Sequence, residues 1–136
     1  MSEGNRILIV DDDKSNLLML INILEEDYPL YIAKDGEEAI RNAVKYVPDL
    51  IILDLVLPGM DGFEVFTILR ETEETKNIPV IFITGLNESG SKEKCLELGA
   101  VDYILKPYTP AAIKHKIMNQ IKANNLQKAL EKPVVD

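Results

Sequence analysis

The sequence predicts an α/β domain in which a parallel sheet carries helices on both faces. Three observations support this. Short apolar runs rich in β-branched residues alternate about five times with stretches of helical periodicity. The runs are apolar throughout, as strands covered on both faces must be. Four of them are followed directly by polar residues, so polar side chains collect at one edge of the sheet, the carboxyl edge where such folds bind ligands.

Taken in order, Ile7 to Val10 is the first strand and leads into Asp11, Asp12 and Asp13. Leu17, Leu20, Ile21 and Leu24 then fall at the i, i+3, i+4, i+7 spacing of a helix with one apolar face. Leu30 to Ala33 is a weaker run, expected nearer an edge. Asp35 with Glu38 three residues later marks a helix start, and Ala39, Ile40, Ala43 and Val44 continue its apolar stripe. Leu50 to Leu53 is the third strand, followed by Asp54. Asp61 with Glu64 signals the next helix. Val80 to Ile83 ends on Thr84, and Gly99 stops a helix after Leu98. Tyr103 to Leu105 ends on Lys106, and Thr109 before Pro110 opens the last helix. Ile113, Ile117 and Ile121 are its core stripe, and Leu126 and Leu130 extend it until Pro133. Right-handed crossovers then bring the polar strand ends to one edge.

Composition narrows the function. At 136 residues the chain is expected to be one domain. A single cysteine, Cys95, excludes an intrachain disulfide and a cysteine zinc cage. It falls in a helical pattern and reads as a buried filler. The net charge of −8 argues against direct binding of nucleic acid or an anionic membrane. No apolar run approaches the ~20 residues of a membrane span. Met1 to Arg6 shows no leader pattern, so a cytoplasmic location is expected.

The stretch LIILDLVLPGMDG, Leu50 to Gly62, places one carboxylate where an apolar strand stops. A charge there is costly unless paired or metal-bound. Asp12 and Asp54 in close proximity repel unless a cation lies between them. Hard oxygen ligands favour Mg²⁺, which keeps one or two carboxylates, several waters and a phosphate oxygen. Lys106 and Thr84 offer the cation and hydroxyl that would hold a phosphate from its other side. A carboxylate can itself be the nucleophile, giving an acyl phosphate.

The motifs ILIVDDD, DLVLPGMDG, FITG and DYILKPY, in this order and spacing, resemble the receiver domain of bacterial two-component response regulators. The resemblance covers about Arg6 to Ile121. It implies a doubly wound, flavodoxin-like sheet of five strands in the order 2-1-3-4-5. It implies Asp54 as phosphoacceptor, Asp12 as principal Mg²⁺ ligand, Asp11 as a second acid acting through water, and the Val56 carbonyl as a further ligand. It also implies that Thr84, the Gly85 amide and Lys106 hold phosphoryl oxygens, that Tyr103 turns inward as Thr84 moves, and that Lys106–Pro107 is cis. Val56 and Leu86 would flank the phosphoryl group, and their apolar side chains predict slow hydrolysis. The implied phosphodonor is a sensor histidine kinase or phosphotransfer protein, and the output is a homodimer or a partner.

Plainer roles are expected elsewhere. Asp13 and Asp61 read as helix N-caps, Gly59 and Gly62 as turn residues needing unusual dihedrals, and His115 as an exposed residue between lysines. An alternative fits DDDKS, Asp11 to Ser15, to haloacid-dehalogenase-like phosphatases with Asp11 as nucleophile. That reading lacks an acidic motif after Lys106 and leaves Asp54 without a role. Residues 1–122 are expected to form the receiver and 123–136 a helical extension or linker. The chain is then either a single-domain regulator or a receiver separated from its output module.

Overall fold

The computed structural model describes residues 5–85 and 91–131. Among them, strands β1 (Ile7–Val10), β2 (Leu30–Ala33), β3 (Leu50–Asp54), β4 (Val80–Gly85) and β5 (Asp102–Lys106) alternate with helices α1 (Lys14–Leu24), α2 (Gly36–Tyr46), α3 (Gly62–Glu71), α4 (Ser91–Leu98) and α5 (Pro110–Glu131). All strand pairs are parallel, in the order β2-β1-β3-β4-β5. The least apolar run therefore lies at an edge, and Ala33 is its one fully buried residue.

Alternation along the strands divides the core in two. Ile7, Ile9, Leu50, Ile52, Ile81 and Ile83 face α1 and the Ile113, Ile117 and Ile121 stripe of α5. Their neighbours Leu8, Val10, Ile51, Leu53, Val80 and Phe82 face α2, α3 and Cys95 of α4. Phe82 anchors this second layer, with the Phe63 and Phe66 rings each 5.4 Å from its own. The central strands are thus covered on both sides, which is why they read as continuous apolar runs. In α1 the stripe differs from expectation. Ile23 completes the buried face with Leu17, Leu20 and Leu24, while Ile21 is half-buried. Both isoleucines flank the leucine row, and only the tertiary neighbours determine which flank is covered.

The helix starts follow the predicted capping chemistry. The side chain of Asp13 accepts from Asn16 N–H, that of Asp35 from Glu38 N–H, and that of Asp61 from Glu64 N–H. At α3 the Glu64 side chain also accepts from the Asp61 amide, completing a reciprocal box. At α2 the returning carboxylate of Glu38 takes the Lys34 amide instead, one residue earlier. Gly99 follows α4 with φ +107°. α5 runs without a break to Glu131, and Pro133 lies outside the described residues. Its last turns are tied to the amino edge of the sheet. Asn124 Nδ2 donates to the Asp49 carbonyl at 3.0 Å and Lys128 Nζ to Asp49 Oδ1 at 2.9 Å, while Asp49 Oδ2 accepts from the Arg6 amide at 2.8 Å.

The two turn glycines separate. Gly59 has φ +77°, as expected of a turn residue. Gly62 needs no unusual dihedral and is instead required for close approach. A Cβ there would lie 2.6 Å from the Asp54 carbonyl oxygen and 2.8 Å from Leu55 Cα. The start of α3 thus rests directly on the end of β3, through a Gly62 N–H bond to the Leu55 carbonyl at 2.9 Å.

Candidate functional site

Asp54 is the last residue of β3 and is 2% exposed. Both carboxylate oxygens are held: Oδ1 accepts from the Val56 amide at 2.8 Å and Oδ2 from Lys106 Nζ at 2.8 Å. Lys106 closes β5, and its side chain is 34% exposed, so this ion pair sits at a lip with the carboxylate on the inner side. The Lys106–Pro107 bond is cis. Asp11, immediately after β1, is fully buried. Its Oδ1 accepts from the Asp13 amide at 2.9 Å, whereas its Oδ2 is buried and has no hydrogen-bond partner. Asp12 beside it is exposed.

Thr84 is 1% exposed and stands on β4 next to Ile83, the register partner of Asp54. Its hydroxyl is 3.5 Å from the Gly85 carbonyl, at the outer limit of a hydrogen bond. Gly85 faces Lys106 across the β4–β5 ladder. Tyr103 pairs with Phe82, two residues before Thr84, and packs half-buried against the same layer. Lys116, held by Asp102 at 3.0 Å, lies 5.4 Å above its ring. Val56 is 62% exposed at the mouth of the cleft, and Leu86 lies outside the described residues. Cys95 is fully buried and His115 exposed, as expected. The sequence did not single out Tyr108, two residues after Lys106. Its hydroxyl is buried without a partner.

Charge and burial act together here. The Asp11 carboxyl is pushed up to about 6 from 3.8, first by burial and then by the negative charge of Asp54, against the Asp13 amide and Lys106. Burial lowers the Lys106 ammonium, but its hydrogen bond to Asp54 and the charges of Asp54 and Asp11 outweigh this and leave it raised. Burial, then Asp11, raises the Tyr108 hydroxyl. The Asp11 shift predicts a pH dependence. A group whose folded pKa lies above its unfolded value binds its proton more tightly when folded, so folding is favoured by acid between the two values. Without divalent ions, the Asp11 contribution should therefore be present below about pH 4 and lost as pH rises through about 6. Chemical denaturation of wild type and Asp11→Asn across this range is the check. A difference between the two that does not change with pH would refute the assignment.

The donor set fits a hard divalent cation. Asp11 Oδ2 is buried without a partner beside Asp54, the exposed Asp12 carboxylate is adjacent in sequence, and the Val56 carbonyl follows the acid. Among the described residues no three His, Cys, Asp or Glu side chains form a ready cage.

Residues 7–118 match the family model described as the response regulator receiver domain. The response regulator PleD of Caulobacter vibrioides is 42% identical over 103 residues, 75% of this chain and 23% of that protein. The alkaline phosphatase synthesis transcriptional regulatory protein PhoP of Bacillus subtilis is 39% identical over 115 residues, 84% of this chain and 47% of that protein. The chain thus spans less than half the length of these curated relatives. Among solved structures, the receiver domain of a sensor histidine kinase from Pseudomonas aeruginosa PAO1, with a magnesium ion coordinated in its active-site cleft, is 30% identical with a TM-score of 0.79. That match covers 88% of this chain and 98% of that one. A CheY-like receiver domain protein from Methanospirillum hungatei JF-1 is 29% identical with a TM-score of 0.83, covering 92% and 99%.

Proposed function

The chain belongs to the response regulator receiver domain family, a phosphoacceptor signalling family, and on that premise we propose that Asp54 is its phosphoacceptor. One observation carries the reading. A carboxylate 2% exposed ends the central strand, with an ammonium at 2.8 Å and a backbone amide at 2.8 Å on its two oxygens. The amide fixes the carboxylate orientation, and the ammonium offsets negative charge where a phosphoryl group would arrive. Phosphorylation proceeds by attack of an Asp54 oxygen on phosphorus. The P–N bond of a phosphohistidine breaks, the imidazole leaves, and an acyl phosphate remains. Lys106 passes from Oδ2 to a phosphoryl oxygen, and the Thr84 hydroxyl and Gly85 amide take others.

Asp11, Asp12 and Asp54 with the Val56 carbonyl would hold Mg²⁺, which supplies positive charge to the phosphoryl oxygens. The phosphodonor is a sensor histidine kinase or a phosphotransfer protein. The signal leaves through Thr84, drawn towards the phosphoryl group, and Tyr103 on the same layer, altering the face formed by α4, β5 and α5 for a second copy or an output partner. The proposed extension from residue 123 continues α5 as far as Glu131, and its remainder lies outside the described residues. Among the described residues no helix is long and apolar enough to cross a membrane. The Val56 side chain, apolar and exposed beside Asp54, gives an attacking water no hydrogen bond and favours a long-lived phosphorylated form. The phosphatase alternative, with Asp11 as nucleophile, has no support from the family match.

The test is incubation with acetyl phosphate and Mg²⁺ followed by intact-mass and peptide analysis. One phosphoryl group on Asp54, none in Asp54→Asn and none in the presence of a chelator is the expected result. Phosphate on another residue, or turnover of phosphate esters, would overturn it.

A further inference from the structure

Beyond Ile121 the last helix gains nothing from the core. Of residues 122–131, Asn124 alone is half-buried and the rest are exposed, so this end of α5 lacks the apolar contacts that stabilise most helices in proteins. Such an end belongs among the parts of a fold that open first. Two polar ties hold it instead. Asn124 Nδ2 donates to the Asp49 carbonyl at 3.0 Å, its own amide oxygen accepting from Gln120 at 2.9 Å, and Lys128 Nζ reaches Asp49 Oδ1 at 2.9 Å. An open groove of about 410 Å³ is lined by Val47 and Ile78 from the domain and by Asn124, Lys128 and Glu131 from the helix, so the helix is not packed down along its length.

The acceptor side is a strained turn. Val47, two residues before Asp49, has φ +44°, and among the described residues it is the only one other than glycine with a positive φ. A β-branched residue is an outlier there, and such strain persists only where the surroundings impose it. Pro48 disfavours the right-handed helical alternative for Val47. Arg6 fixes the rest: its Nη2 donates to the Val47 carbonyl at 3.4 Å, its amide to Asp49 Oδ2 at 2.8 Å, and its carbonyl accepts from the Asp49 amide at 2.8 Å. The Asp49 carbonyl and Oδ1 are thereby left to α5.

We propose that the Val47–Asp49 turn and the Asn124 and Lys128 side chains form a latch at the amino edge of the sheet. Closed, it fixes the direction in which α5 leaves the domain. Open, it frees residues 122–131 while the five-stranded core stays folded. Because one tie is an ion pair with Lys128 58% exposed, the latch weakens as salt screens it, whereas the Asn124 bond does not depend on charge. The inference is independent of the phosphoacceptor and cation assignments, since the latch lies at the opposite edge of the sheet from Asp54.

The experiment is hydrogen exchange followed by mass spectrometry on the full chain, comparing wild type with Lys128→Ala and with Asn124→Ala combined with Lys128→Ala. Alanine has the highest helix propensity, so neither change weakens the helix intrinsically. Peptides covering 124–131 should nevertheless exchange roughly 10-fold faster in the double variant, with β1, β3 and β4 unchanged. Added salt should raise exchange of these peptides about 2-fold in wild type and not in Lys128→Ala. Direction is read from spin labels on Arg41→Cys and Leu130→Cys, both exposed positions, with Cys95 buried and inaccessible to the label. A narrow distance distribution in the latched chain should broaden when Asn124→Ala and Lys128→Ala are added. Unchanged or slower exchange at 124–131 in the double variant would overturn the latch. Faster exchange that extends to the core strands would also overturn it, because the ties would then hold the whole domain together. An unchanged distance distribution would overturn its role in setting direction.

Discussion

Gly62→Ala is expected to lower the melting temperature by about 10 °C and to slow phosphorylation of Asp54 by roughly 10-fold. The added methyl carbon would meet the Asp54 carbonyl oxygen at 2.6 Å and Leu55 Cα at 2.8 Å. Both are backbone atoms of a central strand end, so no side chain can rotate aside. α3 must retreat, stretching the 2.9 Å bond from the Gly62 amide to the Leu55 carbonyl. Overpacking of this kind costs about 3 kcal/mol. At this chain length each kcal/mol lowers the melting temperature by about 3–5 °C. The kinetic effect follows from position. Leu55 lies between Asp54 and the Val56 amide that holds Oδ1 at 2.8 Å, so a shift there turns the nucleophile. Gly59→Ala is the control. Its site has φ +77° with nothing within 4 Å, so it should cost about 1 kcal/mol and leave phosphorylation unchanged. Thermal melts and an acetyl phosphate time course check both variants. An unshifted melting temperature for Gly62→Ala would show that α3 does not rest on β3 as described.

Lys106→Met should lower both stability and phosphorylation. It leaves a carboxylate 2% exposed with one backbone amide and no cation. Breaking a fully buried pair costs about 3–5 kcal/mol. With the Lys106 side chain 34% exposed, solvent screens part of this, and about 1–2 kcal/mol is expected. Phosphorylation loses the ammonium that offsets phosphoryl charge, and the rate should fall on the order of 100-fold. Saturating Mg²⁺ should restore part of the stability, because the ion places positive charge near the same carboxylate. Lys106→Arg should retain most of the stability but not the rate, since a planar fork does not replace a point charge that must pass from one oxygen to another. Denaturant titration with and without Mg²⁺ separates the two effects. A Lys106→Met variant as stable as wild type would mean that the 2.8 Å ion pair contributes nothing.

Much of this molecule was legible before any fold was known. The central strands β1, β3 and β4 were visible because they are buried on both faces and therefore uniformly apolar, and the N-caps of α1, α2 and α3 because a cap involves residues only three apart. Asp11, Asp54, Thr84 and Lys106 could be placed at one edge because parallel strands joined by right-handed crossovers all end on the same side. The proximity of Asp11, Asp54 and Lys106 follows from that topology. Their hydrogen bonds do not, and the Lys106–Asp54 pair spans 52 positions.

Features set by contacts between distant segments had no signature in the chain. Ile21 and Ile23 are equally apolar and flank the same leucine row, and only the tertiary neighbours cover Ile23. Gly62 resembles a turn glycine locally, and only the approach of α3 to β3 shows that its missing side chain is what matters. Asp49 and Lys128 lie 79 positions apart, so nothing in either neighbourhood announces the tie that holds the last turns of α5 to the sheet. Tyr108 reads as one more aromatic residue until its hydroxyl is seen buried without a partner on the α1 and α5 side of the sheet. Periodicity and capping report interactions within a few residues, which the sequence by itself determined. Which oxygens are paired, which glycine is crowded and which flank of a helix is covered depend on surfaces that meet only on folding, and these only the tertiary structure decided.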